Sequence, residues 1–146
     1  CTGHIYDYRN PDYIDRILQT ISIYGLASQV YLLGLIPRID QIQLMRRALA
    51  VIQPSLFEGW STVVEDARCL GKKIILSDFS VHLEQDPPGS IFFERESPEQ
   101  LATLITEWWE KLPPGPNPEE ETLAKIKNIE EVKKFGYRFL EIARNT

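Results

Sequence analysis

The chain has 146 residues, enough for one domain around one hydrophobic core, and its hydrophobic and charged fractions of 43% and 25% are those of an ordinary folded protein. Lys and Arg number 16 against 21 Asp and Glu, for a formal charge of -5, and no basic block is present to displace counterions, which argues against general nucleic-acid binding. No apolar run reaches the length of a membrane span and no signal peptide is visible, so the expected location is cytoplasmic, with membrane contact only through a larger parent protein.

The chain opens on Cys1 rather than Met, and Cys1-Thr2-Gly3 reads like the end of a strand, so the expectation is a piece of something longer. Asn10 is placed to cap a helix with Pro11 at its first position, and Ile14, Ile17, Leu18 and Ile21 keep helical spacing up to Gly25. Val30 to Leu33, closed by Gly34, reads as a strand buried on both faces. Asp40 is placed to cap a second helix with Ile42, Met45 and Leu49 inward, and Ala50 to Gln53 is a further buried strand stopped by Pro54.

Ser61 opens a third helix with Val63, Val64, Ala67 and Leu70 on one face, ended by Gly71. Ile74-Ile75-Leu76 and Ile91-Phe92-Phe93 are the last two strands. Ser97-Pro98-Glu99-Gln100 is a capping box, followed by an inward face of Leu101, Leu104, Ile105, Trp108 and Leu112. "LPPGPNPEEE" is a stiff linker, and a final helix from Asn117 carries an apolar series from Leu123 to Ile142. Cys1 and Cys69 lack metal-type spacing and read as free thiols.

Short apolar strands alternating with amphipathic helices predict an α/β fold with a doubly wound parallel sheet. Ligands of such sheets bind beyond the carboxyl ends of the strands. Leu56 to Ser61 is such a strand-to-helix loop. A glycine there lets backbone approach a ligand, and the free N–H groups of the helix start attract a phosphate.

From Val30 onward the feature order, "VYLLGLI", "AVIQPSLFEGWSTVVEDARCLGKKIILSD", "VHLEQ" and "IFFERESPEQLATLITEWW", resembles the carboxyl-terminal half of the GT-B retaining glycosyltransferases of family 4, the glycosyl transferases group 1. The resemblance implies a Rossmann-like nucleotide-sugar-binding domain over residues 1–112, lacking its first strands, with linker and helix over 113–146. It also implies a donor-binding role. Glu58 would touch the transferred sugar, Gly59, Trp60, Ser61 and Thr62 would offer backbone to the diphosphate, and Asp66 would hold the ribose hydroxyls. Here Ser61 stands for a usual glycine, and Asp66 is one methylene shorter than the family's Glu. Glu65 is the neighbouring candidate, turned about 100° away on a helix. Ile36 would lie under the base.

No metal or cofactor is implied, since the substrate is itself a nucleotide-diphosphate-sugar. The acceptor is not identified, and the family's basic clamp and amino-terminal domain would precede Cys1, so the chain alone is expected to be inactive. Glu84 matches a loop glutamate of the family. His82 reads as a surface-loop residue, with approach to the donor as the alternative, and His4 as solvent-facing. Trp108 reads as core and Trp109 as partly exposed. Lys72, Lys73 and the run Glu119 to Glu121 read as solvated charge. A removed central strand predicts direct pairing of residues 30–33 with 50–53, or else self-association. The rival from another class is a non-catalytic α/β ligand-binding or regulatory module.

Overall fold

A computed structural model describes residues 1–6, 8 and 10–145. They form two compact units, Cys1–Gln43 and Leu44–Thr146. The expected boundary at residue 112 falls inside the second.

The first unit contains helix α1 (Tyr13–Ile23). Asn10 does not cap it. Its carbonyl accepts from the Tyr13 N–H at 3.1 Å, closing a turn through Pro11, and Asp12 takes the cap position. Residues 30–33 form no strand, which corrects the sequence expectation. Val30 and Leu32 are half-buried while Tyr31 and Leu33 are exposed, so one face only is covered. Their backbone pairs with the chain start instead. The Cys1 amino group donates to the Tyr31 carbonyl at 2.7 Å, Leu33 N–H to the Cys1 carbonyl at 2.8 Å, and Gly3 N–H to the Gly34 carbonyl at 2.9 Å. Helix α2 (Arg38–Arg47) begins two residues before Asp40, which lies in its first turn.

The second unit is built on a three-stranded parallel sheet in the order β1 (Val51–Gln53), β2 (Ile74–Ser77), β3 (Ser90–Phe93). Val51 stands opposite Ile74, and Ile74 opposite Ser90. All four residues of β2 are buried, as a central parallel strand requires. The core joins Ile74, Ile75 and Leu76 to Met45, Val64, Ala67 and Phe93. Strand β1 is an edge of this sheet, and Ile52 remains 40% exposed, so the expected burial on both faces does not hold there.

Helix α3 (Thr62–Cys69) follows β1 and buries Val64 and Ala67. Gly71 ends it with φ +61, where a Cβ would stand 2.6 Å from the backbone oxygen of Glu120. Gly71→Ala is therefore expected to destabilise the chain, by about 1–2 kcal/mol for the left-handed backbone alone. The clash with Glu120 adds to that, and a denaturant midpoint unchanged from wild type would contradict it.

The "SVHLEQ" segment is a short helix, α4 (Ser80–Gln85), rather than a loop. Its three-residue spacing turns His82 and Gln85 inward and leaves Leu83 and Glu84 exposed. Helix α5 (Pro98–Lys111) starts as the sequence predicts, with Ser97 Oγ accepting from the Gln100 N–H at 3.3 Å. The reciprocal half of the box is absent, because Gln100 Oε1 accepts from the Glu94 N–H at 2.6 Å. Trp108 is half-buried rather than core, and Trp109 is exposed.

Two groups read as solvated charge have partners. Lys72 Nζ donates to the carbonyls of Arg46 and Gly115, each at 3.0 Å, and burial lowers its pKa. Glu121 accepts two hydrogen bonds from Arg46, both 2.9 Å. These contacts fasten the proline-rich segment and the start of helix α6 (Pro118–Arg144), which Asn117 caps through the Glu120 N–H at 3.2 Å. The apolar series Leu123, Ile126, Ile129, Val132, Phe135, Phe139 and Ile142 on α6 is exposed. Among the described residues no helix is long and apolar enough to cross a membrane.

Candidate functional site

The carboxyl ends of β1 and β2 bring together side chains from three segments of the second unit. Strand β1 ends at Gln53, and Pro54 stops it because proline offers no N–H to a ladder. The loop that follows carries Glu58, and the Gln53 side-chain amide reaches forward to it. Its Nε2 lies 3.3 and 3.4 Å from the two carboxylate oxygens and 3.0 Å from Ser55 Oγ. From α4, His82 Nε2 meets Glu58 Oε2 at 2.8 Å.

His82 is wholly buried, which corrects the surface-loop reading. Its other ring nitrogen, Nδ1, lies 3.0 Å from Ser77 Oγ and 3.1 Å from the Ser77 carbonyl oxygen. Ser77 Oγ in turn donates to the Ser55 carbonyl at 2.6 Å. A chain of polar contacts thus runs from the end of β2 to the loop carboxylate. Phe79 packs edge-on against the His82 ring, with centroids 6.3 Å apart, and tilts against the exposed Phe57 at 6.0 Å. The Arg95 guanidinium lies over the Phe79 ring at 5.6 Å.

The loop ends at α3, where Gly59, Trp60 and Thr62 are exposed and Ser61 is fully buried. Ser61 holds the N-cap position, yet its hydroxyl makes no capping bond, and Oγ is buried with no hydrogen-bond partner. Gln85 secures the residue instead. Its Oε1 accepts from the Ser61 N–H at 3.3 Å, and its Nε2 donates to the Ser61 carbonyl at 2.9 Å and to Glu65 Oε1 at 2.8 Å. Glu65 is also paired with Arg68 at 3.6 Å, and Arg68 donates to the Gln85 carbonyl. Asp66 is half-buried one position further round α3.

The sequence placed Glu58 and residues 59–62 in one loop, and the structure puts residues 58–61 between β1 and α3, with Thr62 the first residue of that helix. Ile36 is half-buried in the first unit. Sequence reasoning missed Gln53, Ser77, His82 and Gln85 as partners of the loop. The signal for the last two was slight, since His82 and Gln85 are three apart but only His82 has apolar neighbours, Val81 and Leu83, while Gln85 lies between Glu84 and Asp86. Among the described residues no group of three or more His, Cys, Asp or Glu is arranged to hold a metal ion.

The profile of the glycosyl transferases group 1 family matches residues 5–132. The chain belongs to this family. Searches of curated proteins and of solved structures returned no match. A group 1 glycosyltransferase domain points to transfer of a sugar from a donor to an acceptor, and its mixed α/β unit with a small parallel sheet is compatible with a Rossmann-like domain.

Proposed function

We propose that this glycosyltransferase domain binds the nucleotide-diphosphate-sugar donor of a retaining, GT-B-type family 4 enzyme, with Glu58 directed at the transferred sugar. The observation that carries this reading is the placement of Glu58. A half-buried carboxylate is held by two side chains beyond the carboxyl ends of parallel strands, directly before a helix start. Gly59 and Thr62 are exposed residues at the start of α3, where helix-start N–H groups and the macrodipole favour a diphosphate. A Cβ on Gly59 would meet nothing within 4 Å, so the space before it is open to a ligand.

Asp66 takes the ribose hydroxyls in this reading. The support is its half-buried place in the first turns of α3, where side chains tilt back toward the helix start. A carboxylate can accept from both hydroxyls of a diol at once.

Titration of the chain with a nucleoside diphosphate, followed by amide NMR, tests the site. The expected shifts are at Gly59, Trp60, Ser61 and Thr62, and an unperturbed loop at saturating ligand would refute the reading. Asp66→Ala is expected to weaken that binding by about 1.5–3 kcal/mol, the range for a lost hydrogen bond to a charged group. Glu65→Ala is expected to act on folding stability more than on binding, and calorimetry ranking the two affinities the other way would reassign the ribose contact.

A further inference from the structure

We propose that His82 is doubly protonated and serves as the positioning residue for Glu58, fixing that carboxylate as an oriented anion. This rests on the reading that Glu58 meets the transferred sugar. The donors and acceptors around the buried His82 ring fix its proton count.

Nδ1 faces two oxygens. The Ser77 carbonyl, 3.1 Å away, can only accept. Ser77 Oγ, 3.0 Å away, has its own hydrogen directed to the Ser55 carbonyl at 2.6 Å, so toward the ring it also accepts. Both neighbours therefore require a proton on Nδ1. A bare Nδ1 would set its lone pair against the carbonyl oxygen in a site closed to water.

A neutral imidazole has only that one proton, so Nε2 would then be an acceptor. Nε2 faces Glu58 Oε2 at 2.8 Å, and an ionised carboxylate is acceptor-only. Two acceptors do not approach this closely without a proton between them. The proton belongs on the ring, because the Gln53 amide donates toward both oxygens of Glu58, a pattern that suits the carboxylate form. His82 is thus an imidazolium whose charge is matched by Glu58.

The consequence lies in geometry. Glu58 sits in a loop with exposed neighbours on either side, Phe57 and Gly59, and its carboxylate would otherwise sample several rotamers. Donors from β1 and α4 fix it from two directions. The ring itself is locked by Ser77 and by Phe79 against its edge. Lengthening or removing the Nε2 donor would misplace the carboxylate while leaving the nucleotide contacts of residues 59–62 in place.

Nitrogen-15 spectra of the imidazole in the unmodified chain, near neutral pH, read the proton count directly. Both ring nitrogens of His82 are expected at protonated positions, and an unprotonated Nε2 or Nδ1 would overturn the assignment. The positioning role is read in the active transferase by two substitutions. His82→Asn keeps a polar group near Ser77 but loses the donor to Glu58. His82→Gln returns an amide donor to the Nε2 position.

His82→Asn is expected to lower kcat about 10- to 100-fold with little change in donor KM, as misplacement of a reacting group does. His82→Gln is expected to recover most of the loss. Wild-type kcat in His82→Asn, or no advantage for His82→Gln between equally folded proteins, would overturn the positioning role. A protein that turns over no nucleotide-sugar, yet shows both ring protons, would defeat the transferase reading and leave the proton placement standing.

Discussion

Glu58→Ala in the active transferase is expected to lower kcat by about 10²–10³-fold, the scale on which one preorganised electrostatic contact acts. Affinity for the free nucleoside diphosphate should change far less. The reason is one of position, because in the proposed reading the carboxylate meets the sugar while the nucleotide meets α3. Positive charge develops on the sugar as the diphosphate departs, and a fixed anion is worth most at that moment.

Glu58→Gln separates charge from shape. Both neighbours donate to Glu58, His82 through Nε2 and Gln53 through Nε2. A glutamine can turn only one oxygen toward them, and its amide nitrogen would then face a donor. Glu58→Gln should therefore lose nearly as much activity as Glu58→Ala, despite its equal size. Steady-state kinetics beside calorimetry checks both variants. Losses of equal size in kcat and in nucleotide affinity would move Glu58 onto the nucleotide.

What the sequence makes legible here is local. Ile74 to Leu76 reads as a buried strand because an unbroken apolar run suits a strand covered on both faces, and β2 is one. Ser97 and Asn117 read as helix starts because a cap is satisfied three residues away, within the same turn. Val30 to Leu33 is the instructive failure. A four-residue apolar run does not reveal whether one face or two are covered. Here alternate residues are exposed, and the backbone bonds Cys1.

The site shows the same limit. The motif around Glu58 is contiguous and visible, whereas its supports come from afar. His82 reaches it across 24 residues, and Arg46 reaches Glu121 across 75. Charge runs such as Glu119 to Glu121 look solvated in sequence because nothing local names their partners. The inward turn of His82 and Gln85 depended on reading "SVHLEQ" as a helix. Six residues with no side-chain cap give little periodic signal for that.

Gln85→Ala is expected to destabilise the second unit by about 2–4 kcal/mol, combining an orphaned buried donor with lost packing. Gln85 is 4% exposed, and its amide spans both backbone groups of Ser61 and the Glu65 carboxylate. The Ser61 carbonyl keeps a second partner in the Glu65 N–H at 3.2 Å, so the larger cost lies in the Ser61 N–H. That group would be left in a residue with no solvent exposure. Ser61 Oγ offers no substitute, since the N-cap hydroxyl does not engage its own helix.

Gln85→Glu is the sharper variant. It keeps the acceptor for the Ser61 N–H but removes the donor to the Ser61 carbonyl and to Glu65, setting two carboxylates about one hydrogen-bond length apart in a partly buried site. Its loss should exceed that of Gln85→Ala at neutral pH and shrink as the medium is acidified. In that interval one of the two carboxylates takes up a proton and restores a donor. Denaturant unfolding at a series of pH values reads both effects. If Gln85→Ala unfolds at the wild-type midpoint, the Gln85 amide is not what holds the start of α3, and another partner must satisfy the Ser61 N–H.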